Sequence, residues 1–216
     1  MKFISKKNRV SLRDGLVYKQ VKDPRAAELE AAILRELRGA GVAVPEVVSC
    51  RDNLLVLEYL PGEPLPDIVA RGGYDPEALA VALCDWFAAF YAAVPPGELR
   101  GDVNGRNFLA GGGKIYSVDF EERRRGPIAR DAGRLAAFLE TYETCGRAKQ
   151  IALSQAYMRE FSERFHCAMD QILAEREAEF AAMRERRGAA RDHGSSANIF
   201  PVTTSTGSVM PHSKTT

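Results

Sequence analysis

Long uncharged apolar runs are missing from this chain of 216 residues, and so is a strong charge of either sign. The longest such run, residues 86–97, is too short to span a bilayer, so no membrane partner is expected. Lys and Arg number 30 against 29 Asp and Glu, a formal net charge of +1. With no basic stripe interleaved with aromatics, the chain lacks the electrostatic footprint of a phosphate-backbone reader, and no nucleic-acid partner is expected. The four cysteines, Cys50, Cys84, Cys145 and Cys167, form no Cys-x-x-Cys pair and have no histidine at ligand spacing; they read as buried free thiols rather than metal ligands. The first residues carry Lys2, Lys6 and Lys7 but no apolar centre, which does not read as a signal peptide. A reducing, cytoplasmic setting is the simplest inference.

What is present suffices for a packed core: 45% of residues are apolar and 27% charged. Composition changes near Gly188. Ten of the 22 residues in 195–216 are Ser or Thr, and periodic apolar spacing stops, so 188–216 reads as a mobile tail. Without it the body holds 28 basic and 28 acidic residues.

Within the body, residues 1–62 read as strands around one helix, and 63–187 as a mainly helical lobe containing one hairpin. Residues 15–22 alternate as a strand does, with Val17, Lys19 and Val21 on one face. Asp23 and Pro24 supply a cap and a first-turn proline for a helix running to about Gly39. Residues 46–50 and 53–59 read as further strands, and Pro61, Gly62, Pro64 and Pro66 mark the passage between lobes. Helices are predicted over 76–94, 131–142 and, as one or two elements, 151–183. The run Gly111-Gly112-Gly113 inside 108–120 predicts a hairpin.

The chemistry lies around that hairpin. Arg100-Gly101-Asp102-Val103-Asn104-Gly105-Arg106-Asn107 precedes it, and Val118-Asp119-Phe120-Glu121 follows its second strand. The spacing Asp-x-x-x-x-Asn, then a hairpin, then Asp-Phe resembles the catalytic and metal-binding loops of protein-kinase-like phosphotransferases, most nearly the aminoglycoside and choline phosphotransferase branch. That resemblance implies an α+β, protein-kinase-like two-lobe fold with a truncated N-terminal β lobe and a mainly helical C-terminal lobe. Its cofactors are ATP and Mg²⁺. Transfer of a γ-phosphoryl group needs a carboxylate to orient and deprotonate the acceptor hydroxyl, and oxygen ligands for Mg²⁺. Asp102 is placed as the base, Asn107 and Asp119 as the metal ligands. If the turn centres on Gly112, Asn107 faces Ser117 and Asp119 lies one diagonal step away. Read without the resemblance, these residues are also ordinary turn and strand-end residues.

An ammonium on the face of Val17 and Val21 needs an acidic partner if that face is buried. Glu30 falls within the apolar stripe of Ala26, Ile33, Leu34 and Leu37, whereas Glu28 points away. The resemblance pairs Lys19 with Glu30 and leaves the lysine for the α- and β-phosphates. It also places the Glu58 carbonyl and the Leu60 amide at the adenine; a buried strand ending at a Pro-Gly turn fits the same residues. Asp131 either braces the catalytic loop, as in relatives, or caps a helix.

Departures from the pattern are visible. No Gly-x-Gly-x-x-Gly precedes Lys19, so the phosphate-covering hairpin is expected to be shortened or absent. Arg100 stands where the family usually has histidine, and Glu121 follows Asp119-Phe120 where a small residue is usual. Residues 121–125 read as a solvated charge run whose arginines offer attraction to an anionic substrate. The expected activity is an ATP- and Mg²⁺-dependent phosphotransfer to a hydroxyl of a small-molecule acceptor. The alternatives are a small atypical protein kinase or ATPase, similar to the compact kinase of the tRNA-threonylcarbamoylation complex, and a nucleotide-binding pseudokinase acting as an interaction module.

Overall fold

The computed structural model describes residues 8–121, 124–142, 144 and 146–195. Residues Met1–Phe180 form one compact unit and Ala181–Thr216 a second.

Near the N-terminus, β1 (Arg9–Arg13) and β2 (Leu16–Gln20) form a hairpin closed by Asp14 and Gly15, both at positive φ (49° and 73°). Such a two-residue turn matches the right-handed twist of its strands, and Asp-Gly is a sequence that adopts it. A short hairpin therefore ends at Lys19's strand, where the sequence pattern pointed to a hairpin shortened or absent. Helix α1 (Pro24–Gly39) starts as predicted, with the Asp23 carboxylate accepting from Arg25 N, and β3 (Val47–Arg51) and β4 (Leu54–Glu58) follow. The antiparallel sheet runs β1-β2-β4-β3. On α1 the buried stripe is Ala27, Glu30, Ala31, Ile33, Leu34 and Leu37; it includes Ala27 where the sequence pointed to Ala26.

After β5 (Glu63–Pro64) and α2 (Leu65–Arg71), helix α3 (Pro76–Ala93) crosses the core. By length and composition α3 is the one helix among the described residues that could cross a membrane. Here it packs on α5 (Arg147–Phe165), burying Leu83, Trp86, Phe87 and Phe90, and its Glu77 and Asp85 pair with Arg159 and Arg164 of α5. Short β6 (Glu98–Leu99) pairs with β9 (Arg124–Arg125), β7 (Phe108–Gly111) with β8 (Lys114–Ser117), and α4 (Ala129–Thr141) packs against α5. Phe108 is fully buried, with its ring 5.3 Å from Trp86 and 5.8 Å from Phe87, so the hairpin is anchored in the aromatic core. Burying such a side chain contributes about 1.5–3 kcal/mol.

The hairpin register differs from expectation by one residue. Phe108, not Asn107, faces Ser117, because Gly112 and Gly113 make the turn, with φ +59° and +75°. Gly111 serves another purpose: a Cβ there would lie 2.4 Å from the Pro61 carbonyl oxygen, where the interlobe linker crosses. The segment 151–183 resolves into α5 and α6 (Met169–Ser195). Helix α6 passes Gly188, where the sequence reading starts the tail; residues 196–216 of that tail lie outside the described residues. Cys84 and Cys167 are buried as expected, Cys50 is only half-buried, and Cys145 lies outside the described residues.

Candidate active site

Lys19 is the buried residue of β2, 6% exposed, and Glu30 of α1 is 1% exposed. The Lys19 ammonium donates to both Glu30 oxygens, at 2.9 Å (Oε1) and 2.8 Å (Oε2), and also to Asp119 Oδ1. Burial works against its charge, but attraction to Glu30 and Asp119 outweighs that and holds its pKa above the ordinary 10.5. A strand, the helix that follows it and a loop 100 residues further on are thus joined at one cation. Glu121 adds a fourth group, 3.7 Å from Lys19 Nζ and accepting at 2.8 Å from Asn8 Nδ2. The expectation that Glu121 belongs to a solvated charge run is corrected: it faces Lys19, and the four side chains together carry a formal charge of −2.

Asp119 has φ +68°, a left-handed conformation uncommon for L-residues, though less so for Asp, and here held by its surroundings. Arg100 supplies part of that constraint. It is 2% exposed and donates from Nε to Ser117 Oγ (3.1 Å) and from Nη2 to the carbonyls of Val118 (2.7 Å) and Asp119 (3.0 Å). Its guanidinium lies 4.0 Å from the Phe120 ring centroid. Where the family usually has histidine, this arginine clamps the backbone that presents Asp119.

Asp131 resolves the other open alternative. It is fully buried within the first turn of α4 and accepts from Arg100 N (2.7 Å), Gly101 N (3.1 Å) and Tyr91 OH (3.0 Å), so it braces the loop leading to Asp102. On the far side of that loop, Gly105 N donates to Tyr142 OH at 2.7 Å. The two fit so closely that a Cβ at Gly105 would lie 2.2 Å from that oxygen. Sequence reasoning missed Tyr142, which lies 37 residues from its partner and carries no local signal.

Between these braces Asp102 is exposed, its Oδ1 accepting from Asn104 N at 3.2 Å. Asn107 ends a short 3₁₀ turn (Gly105–Asn107), and its Nδ2 donates to the Asp102 carbonyl at 3.2 Å. Asp102 and Asp119 line one cleft of about 160 Å³ together with Arg100, Gly101, Glu121, Arg124 and Arg134. Asn107 joins the group only through Asp102. Glu58 and Leu60 are not among the lining residues; Glu58 directs its carboxylate to Glu46 N (3.1 Å) and Arg38 (3.3 Å), and Leu60 is buried.

Asp119, half-exposed at the cleft, is an oxygen donor of the kind Mg²⁺ accepts in nucleotide sites, where the ion keeps most of its shell as water and phosphate oxygens.

Residues 4–123 match the RIO domain. The chain belongs to the RIO domain family. This RIO domain chain has no match among curated proteins, whereas 201 solved chains resemble it in structure. One is APH(2")-IIa in a ternary complex with streptomycin and ATP, at 11% identity and a TM-score of 0.57, covering 77% of this chain and 79% of that one. Another is a choline/ethanolamine kinase family protein from Mesorhizobium loti, at 17% identity and a TM-score of 0.53, covering 87% and 80%. APH(2")-IIa with gentamicin gives 12% and 0.52, covering 83% and 85%. Identities this low establish the fold alone: the RIO domain chain has the protein-kinase-like α+β architecture its motifs resemble.

Proposed function

We propose that this RIO domain chain is an ATP- and Mg²⁺-dependent phosphotransferase that moves the γ-phosphoryl group to a hydroxyl of a small-molecule acceptor. The observation that carries it is the buried Lys19, bound at once to Glu30 and to Asp119. A buried ammonium held by a helix carboxylate and reaching a half-exposed carboxylate at the cleft is a charged cluster of the kind that supports a phosphate-binding role. Lys19, held by Glu30, takes the α- and β-phosphates. Asp119 and the Asn107 amide oxygen hold the metal, which neutralises charge on the transferred group. Asp102, exposed at the cleft, orients the acceptor hydroxyl and takes its proton. ATP in one structural neighbour supports the choice of nucleotide.

A second reading, a small atypical protein kinase, is favoured by the family match itself. The openness around Asp102 admits either acceptor. Thermal shift with ATP and Mg²⁺, beside ATP turnover for the wild type, Asp119→Ala and Asp102→Ala, tests the proposal. ATP should raise the Tm of the wild type, the first variant should lose that rise, and the second should keep it while losing turnover. No nucleotide-dependent stabilisation of the wild type would sink the reading. Transfer to a protein substrate in preference to hydroxylated metabolites would select the second.

A further inference from the structure

Beside Asp102 the wall of the cleft changes sign. Arg124 and Arg134 line the cleft that holds Asp102 and Asp119, and they also line an adjoining one of about 270 Å³. Its remaining walls are Arg130, Glu175, Ala178 and Glu179. The carboxylates of Asp102, Asp119 and Glu121 belong to the first cleft and not to the second. A molecule reaching from the base into the second cleft therefore leaves the metal side and enters a surface with three guanidiniums against two carboxylates.

Each arginine is placed by the fold. Arg124 is fixed in β9 opposite Leu99, and its stem lies over Gly101, the residue before the base. Gly101 has φ +79°, and a Cβ there would come 3.2 Å from Arg124 Cδ, so glycine lets the side chain lie across the loop. Arg134 donates from Nη1 to the Gly101 carbonyl (2.8 Å) and from Nε to Glu179 (2.9 Å). A guanidinium has five N–H groups, so those two bonds anchor it and leave donors for a ligand. Arg130 stands 3.7 Å from Glu175, beyond hydrogen-bonding distance, with its side chain 46% exposed. Planar, partly anchored guanidiniums are the groups that hold phosphate or carboxylate bidentately.

We propose that the acceptor is a small hydroxylated molecule bearing an oxyanion, a phosphate or a carboxylate, bound by Arg124, Arg130 and Arg134 while its hydroxyl meets Asp102. This rests on the phosphotransferase reading above. The hydroxyl proton passes to the Asp102 carboxylate. The hydroxyl oxygen forms the new bond to the γ-phosphorus, and the bond from that phosphorus to the β,γ-bridging oxygen breaks, releasing ADP. The arginines take no part in these bonds; they fix the acceptor's other end and so orient the hydroxyl.

The test is calorimetric titration of the full chain, loaded with ADP and Mg²⁺, with glucose 6-phosphate, glucuronate, glucose, gentamicin and an acidic peptide, repeated for Arg124→Gln/Arg130→Gln. At least one of the two anionic sugars should bind about tenfold or more tightly than glucose, the margin expected of charge-assisted hydrogen bonds. The double variant should lose that margin while its ligand-free melting curve remains that of a folded chain. Which of the two anions binds identifies the oxyanion, and transfer from γ-labelled ATP should follow the same order. Equal binding of glucose and its anionic relatives overturns the inference. So do preference for gentamicin or for the peptide, and a margin that survives in the variant. ATP stabilisation of the wild type separates the failures: if it is absent, the phosphotransferase reading falls too, and if it is present without an anion margin, only this inference falls.

Discussion

The two ends of the cleft are built by different means. At the phosphate end the functional groups are themselves buried: Lys19 and Glu30 are 6% and 1% exposed, and their ion pair is part of the packing between β2 and α1. At the proposed acceptor end the functional group is exposed, and buried or half-buried residues stand behind it. Asp102 stands in solvent, while Arg100, Asp131 and Tyr142 fix the backbone on either side. Function and stability are therefore coupled at the first end and separate at the second. In the proposed reaction, a charge that meets a polyanion can be held in the core by a partner, whereas a base that meets a hydroxyl has to remain accessible.

Substitutions at the two ends should differ accordingly. The largest effect is expected from Asp102→Ala, which should lower turnover by about 10²–10⁴-fold and change stability by no more than about 0.5 kcal/mol. Turnover assays and urea unfolding read the two quantities, and a large loss of stability would erase the contrast. Glu30→Ala should do the reverse in kind. Removing one partner of a buried ion pair costs about 3 kcal/mol, the lower end of the usual range because Asp119 still faces Lys19. Urea unfolding without nucleotide would show it; a neutral result would mean that the pair is not part of the packing.

Gly105→Ala tests the brace behind the base. A Cβ overlapping the Tyr142 hydroxyl should cost about 1–3 kcal/mol, seen as a lower Tm, and an unchanged Tm would show the brace to be loose. The smallest effect is the pH dependence of the Lys19 pair. Because the folded pKa of Lys19 is raised above 10.5, its contribution is fully present below the unfolded value and is lost as pH rises through the folded one. The Tm difference between wild type and Lys19→Met should shrink above about pH 10.4; a difference that grows there would reverse the sign.

Much of this was legible in the sequence, for local reasons. Alternation in β2 and the helical wheel of α1 placed Lys19 opposite Glu30, because both regularities are one-dimensional and side-chain direction follows from them. Gly111-Gly112-Gly113 announced a hairpin but not its register. Three glycines permit more than one two-residue turn; in the fold Gly112 and Gly113 make it, and Gly111 lies where a Cβ would meet the Pro61 carbonyl. The β1–β2 hairpin carries its own turn signal, Asp14-Gly15, which the lack of a glycine-rich motif does not cancel. Glu121 read as solvated because its neighbours in sequence are charged, while its neighbour in space, Lys19, is 102 residues away.

By itself the sequence determined the kinase-like order of elements and the pairing of Lys19 with Glu30, because strand alternation, helical periodicity and loop spacing are properties of neighbouring residues. Tertiary structure alone decided how the loops are held. Arg100 reaches the Val118 and Asp119 carbonyls, Asp131 gathers two amides and a phenol, and Tyr142 closes on Gly105. Each bond joins residues between 18 and 40 apart. Their chemistry is ordinary in isolation and becomes specific only when burial leaves a backbone group one partner to find.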